Sequence, residues 1–138
     1  MKPDDFRLFV RQQSRLADDA IGRVAEALRL RQADRLQRSV CECVFHKFLL
    51  ETPPDADDGF DTLALQSTQR TLLLAEGDLS AGDISAGCLE ADTSDAKKIL
   101  FILMLKRRLN VELAPEQTAE IDTIRQLCDA LLASARTA

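Results

Sequence analysis

The chain has 138 residues, a formal net charge of −5 and no Trp or Tyr. At this length one ordinary domain is expected, with roughly two-thirds of the unfolded surface available for burial. Its apolar content is dominated by Leu and Ala, which suit helices, whereas strands favour Val, Ile, Thr and aromatic residues. An all-α fold follows. The negative charge argues against general nucleic-acid binding. It is unevenly spread: residues 51–95 are strongly acidic with Arg70 as their single base, and the flanking stretches are mildly basic. Internal pairing or a polarised partner surface is implied.

Pro3, followed by Asp4 and Asp5, makes a good helix start, because proline lacks only an unneeded N–H and the acids face the positive end of the helix dipole. The apolar positions Phe6, Phe9, Val10, Leu16, Ala17, Ala20, Ile21, Val24 and Leu28 have helical spacing. A second set runs through Ala33, Leu36, Val40, Cys41, Val44, Phe45, Phe48 and Leu49. Two helices with a break near Arg29–Asp34 are expected, with Asp34 as a candidate cap; one very long helix is the alternative. Residues 1–51 are read as an N-terminal helical extension, and 52–60, with Pro53, Pro54, Asp55, Asp57 and Asp58, as an extended, solvated linker.

Residues 61–138 are expected to form the main bundle. Helical character returns from Asp61 to Ala75, with Leu63, Leu65, Leu72, Leu73 and Leu74 as its apolar set. Residues 79–87 read as a structured loop, with Leu79 and Ile84 available to pin it to a core. A helix from about Ser94 or Asp95 to Leu109 follows, with Asn110 as its stop. Pro115 opens a short helical turn, and Thr123-Ile-Arg-Gln126 matches a capping box for the last helix.

Cys41, Cys43, Cys88 and Cys128, with no apolar signal core after Met1, suggest reduced thiols and a cytoplasmic protein. The longest apolar run, Ile99 to Leu105, is far shorter than the ~20 residues that span a bilayer, so no membrane insertion is expected. It nevertheless covers every direction of a helix. Helices from residues 6–49 are expected to cover it, with self-association into a homo-oligomer as the competing explanation. Cys41, Cys43 and His46 are not spaced to converge on a metal from one helix face, and buried structural thiols are the expected role of the cysteines. The arginines Arg7, Arg11, Arg15, Arg23, Arg29, Arg31, Arg35 and Arg38 are interleaved with acids and read as a solvated face.

Leu89-Glu-Ala-Asp-Thr93, Leu109-Asn-Val-Glu-Leu113 and Ile121-Asp-Thr-Ile124 lie in the order and at the spacing seen in the second half of acyl carrier proteins, which this chain resembles over 61–134. The resemblance implies an acyl-carrier-like helical bundle and a noncatalytic role in fatty acid or polyketide biosynthesis. It also implies phosphopantetheine esterified to a serine at the start of the apolar helix. The partners would be acyl-handling enzymes and a phosphopantetheinyl transferase. Counting forward from Leu89 puts the attachment position at Thr93, and counting back from Leu113 puts it at Asp95. Ser94 lies between them and is the candidate attachment residue. Family members show partners an acidic face on this helix; here Lys97, Lys98, Lys106, Arg107 and Arg108 stand instead. The alternative from the same residues is a helical protein-interaction module on the carrier scaffold, without the prosthetic group.

Overall fold

The computed structural model describes residues 2–75 and 94–137. These form six helices: α1 (Pro3–Arg29), α2 (Ala33–Lys47), α3 (Phe60–Ala75), α4 (Ser94–Leu109), α5 (Pro115–Glu120) and α6 (Ile124–Thr137). Among the described residues the only β pairing is an isolated bridge between Gly59 and Thr123. The fold is all-α.

Helices α1 and α2 pack as a hairpin. Ala17, Ala20, Val24 and Ala27 on α1 are buried, as are Leu36, Ser39, Val40, Cys43 and Val44 on α2. Small side chains on both sides of that seam let the two backbones approach closely. The turn between them sits inside the stretch where a break is expected, but Asp34 does not cap α2. Gln32 is the N-cap residue, and its side-chain oxygen accepts from Arg35 Nη1 at 2.8 Å.

Three helices end in the same way. At Arg31 (φ 56°), Leu49 (φ 54°) and Asn110 (φ 54°) the backbone enters the left-handed region. The next residue then donates back to a carbonyl five positions earlier: Gln32 N to Ala27 O at 2.9 Å, Leu50 N to Phe45 O at 3.0 Å and Val111 N to Lys106 O at 3.2 Å. This closure satisfies carbonyls that the last turn leaves without partners.

The acidic segment after α2 is folded rather than extended. Asp58 N donates to Asp55 O at 3.0 Å, and Asp55 N donates to the Asp58 carboxylate at 2.8 Å. Pro54 is buried, and so is Ala56, whose carbonyl accepts from Arg125 N at 2.8 Å. Asp57 takes a two-pronged contact from the Arg125 guanidinium at 2.6 and 3.2 Å. The extended linker expected from its charge is thus a turn bonded to the start of α6, while Asp55 and Asp57 remain exposed to solvent. Phe60 N donates to Asp122 O at 2.7 Å, which ties the start of α3 to the same place.

Behind this junction α3 packs on α4, while α6 lies against α2 and touches α1. One hydrophobic cluster runs through all of them, from Ala17 to Leu50 and from Phe60 to Leu131. At its centre Phe48, Phe60 and Phe101 bring together the end of α2, the start of α3 and the middle of α4, with ring centroids 5.6 to 6.4 Å apart. Helix α6 opens with the expected capping box: Gln126 N donates to Thr123 Oγ1 and Thr123 N donates to Gln126 Oε1, both at 3.2 Å. The spacing puts Ile124, Leu127, Cys128, Leu131 and Leu132 on one face of this helix; the first four are buried and Leu132 is half-buried.

Candidate functional site

Ser94 is the first residue of α4, at the helix start where the attachment residue is expected. Thr93 and the loop 79–87 lie outside the described residues. Asp95 is the second residue of the helix.

At 100° per residue, α4 divides cleanly. Lys98, Phe101, Ile102 and Leu105 face inward and are buried. Ile99, Leu100 and Leu103 face outward and remain 41, 65 and 44 % exposed. The expectation that the N-terminal helices cover this apolar helix is met on one side only. Helix α1 reaches α4, and Arg108 Nη1 donates to Asp18 Oδ1 at 3.0 Å, but the opposite side of α4 is not covered by the other described helices. On the buried side Phe48 and Phe60 pack against Phe101.

The basic residues of α4 do different things. Lys106 Nζ donates to Leu113 O at 2.8 Å, and Lys98 Nζ reaches Ala119 O at 3.4 Å, so both fasten the α5 region to α4. Arg107 is exposed and has no ion pair among the described residues. Two depressions border the outward face. One of about 710 Å³ lies at the C-terminal end of α4, between Leu103, Lys106 and Arg107 and the connection Val111–Pro115. The other, about 190 Å³, is lined by Lys47, Phe48, Ser67, Lys97, Leu100 and Phe101. Apolar side chains thus stand in the middle with cations at both ends. Sequence spacing found the apolar helix but not which of its sides stays open, since all sides read alike.

A larger open groove, about 750 Å³, runs along α2 beneath Pro53–Ala56 and includes Arg38, Cys41, Phe45 and His46. Cys41 is half-buried in its wall, and Cys43 points into the core. The two thiols diverge as helical geometry requires, and among the described residues no group of three or more His, Cys, Asp or Glu is placed to hold a metal. Burial pushes the Cys41 thiol up to about 11, helped by Asp55 and Asp58. It pushes Cys43 and Cys128 up to about 12. All three are therefore protonated, unreactive thiols near neutral pH. His46 Nδ1 lies 2.7 Å from Gln13 Oε1, and desolvation, with Arg23 nearby, lowers its pKa. Of the N-terminal arginines, Arg23 pairs with Glu42 across the hairpin. Arg7, Arg11, Arg15, Arg29, Arg31, Arg35 and Arg38 are exposed, as a solvated face requires.

No helix among the described residues is long and apolar enough to cross a membrane. Comparison with known proteins finds no family model, no curated protein and no solved structure that matches this chain.

Proposed function

We propose that this chain is a noncatalytic, helical protein-interaction module, built on an acyl-carrier-like scaffold, that works by docking partners on the outward side of α4. The observation that carries this reading is the open stripe of Ile99, Leu100 and Leu103 with cations at its two ends. Isolated exposed leucines are ordinary on protein surfaces, but three adjacent large apolar residues on one helix face are a common mark of a binding surface. Helix α4 is also held rigidly from behind by Phe101, Ile102, Leu105 and the two lysine contacts, so its outer face is preorganised.

A second reading is favoured by Ser94 standing at the start of α4. There a phosphodiester would meet the free N–H groups and positive end of the helix, and the chain would be a carrier tethering acyl groups through phosphopantetheine. Against it stands Asp95, where one of the two alignments puts the attachment residue.

Intact-mass measurement after incubation with coenzyme A and a broad-specificity phosphopantetheinyl transferase separates the two. The interaction module keeps its unmodified mass while a control carrier is modified. A phosphopantetheine adduct that is lost in Ser94→Ala would establish the carrier instead.

A further inference from the structure

We infer that the outward face of α4 docks an acidic amphipathic helix of a partner protein. This rests on the interaction-module reading and adds the chemistry of the partner. Ile99 and Leu103 are four positions apart and Leu100 and Leu103 three, so their side chains form one stripe along the helix. Lys97 and Lys47 border it at one end, and Lys106 and Arg107 at the other, where Glu112 is the single acid against two cations. A helix laid along it presents leucines at i, i+3, i+4 and i+7 to the stripe. Its flanking carboxylates then meet cations at both ends. Arg107, exposed and unpaired among the described residues, offers the planar fork that binds a carboxylate in two-pronged fashion.

The same charges argue against the other occupants. A second copy laid antiparallel on this face sets Lys97 against Arg107, and one laid parallel sets each cation beside its twin. Either arrangement opposes like charges. An anionic bilayer meets the same cations, but it also meets the rest of a chain whose net charge is −5. The apolar stripe itself spans little more than one turn of α4, a small area to hold a protein on a membrane.

The test is fluorescence anisotropy of labelled helical peptides titrated with the full-length protein. One peptide carries leucines at the stated spacing with glutamates on its flanks; a second replaces the glutamates by lysines. Vesicles of phosphatidylglycerol and of phosphatidylcholine are assayed by co-sedimentation. The acidic peptide is expected to bind, more weakly as salt rises. Its affinity should fall about tenfold in Arg107→Glu and be lost in Leu103→Asp, while circular dichroism and the melting temperature stay as in the parent. Equal binding of the lysine peptide overturns the acidic chemistry but leaves α4 as a docking face. Binding that Leu103→Asp leaves unchanged, or no binding of either peptide by a folded protein, overturns the docking face as well. Capture by phosphatidylglycerol vesicles without peptide binding would put a membrane surface in the partner's place. A dimer in sedimentation velocity that Leu103→Asp dissolves would put a second copy there.

Discussion

Cys43 is fully buried between the helices of the N-terminal hairpin, and burial holds its thiol up at about 12 from an ordinary value of 9.0. The unfolded chain therefore releases this proton first. Between about pH 9 and 12 the folded state binds more protons than the unfolded state, so stability falls as pH rises through that window and is fully retained below it. Cys128 acts in the same direction, as does Cys41 with its smaller shift. Urea denaturation at pH 8 and pH 10.5 should show this loss, and Cys43→Ala should lose less between the two pH values than the parent. Lysine titration affects both proteins alike and cancels in the comparison. An equal loss in the two would show that Cys43 ionises no more readily in the unfolded chain than in the folded one. His46 works at the acid end with the opposite sign: its pKa is lowered in the folded state, so its contribution fades as pH falls through the ordinary histidine value of 6.5. That the cysteines serve as buried thiols was legible, but the apolar spacing includes Cys41 and omits Cys43, whereas Cys43 is the fully buried one and Cys41 is half-buried. The Gln13 partner of His46 was not legible, because it depends on how α1 is turned against α2.

Among the helices, the starts were written more clearly than the ends. Pro3, Pro115 and the Thr123–Gln126 box each carry a local chemical reason for a helix to begin, and each begins there. Asn110 is the one left-handed terminator whose residue type announces it. Arg31 and Leu49 adopt the same conformation without any intrinsic preference for it, because the hairpin packing and the buried Leu50 demand a reversal at those points. A left-handed non-glycine residue costs roughly 1–2 kcal/mol, of which glycine's greater freedom in the unfolded chain takes back about half. Arg31 is exposed and forms no ion pair among the described residues. Arg31→Gly is therefore expected to stabilise the protein by about 0.5–1 kcal/mol, read as a higher urea midpoint with an unchanged slope. A destabilised variant would mean that the Arg31 side chain contributes more than its backbone costs. The turn at 55–58 has no such local signal: the charges predict solvation, which Asp55 and Asp57 keep, but the contact with Arg125 comes from the far end of the sequence.

In the whole molecule the N-terminal hairpin and the segment from α3 to α6 contribute to one hydrophobic core. Helix α6 buries Ile124, Leu127, Cys128 and Leu131 and packs against α2, and Phe101 of α4 packs edge-on against Phe48 at the end of α2. The periodicity of each stripe was readable, but which stripe meets which is a property of the three-dimensional arrangement and has no local signature. Removing the hairpin exposes most of the α6 face and one wall of the phenylalanine cluster. At about 25 cal/mol per Å² of apolar surface, a few such side chains cost several kcal/mol, comparable with the whole stability of a domain this size. A fragment beginning at Asp57 is therefore expected to lose its cooperative thermal transition and to bind a hydrophobic dye, while the full chain melts in one step and does not bind it. Adding the separate 1–51 segment tests the same point from the other side, since a shared core predicts that the two pieces regain helicity only together. A fragment that melts cooperatively alone would mean that α3 to α6 close their own core and that the hairpin is an accessory to it.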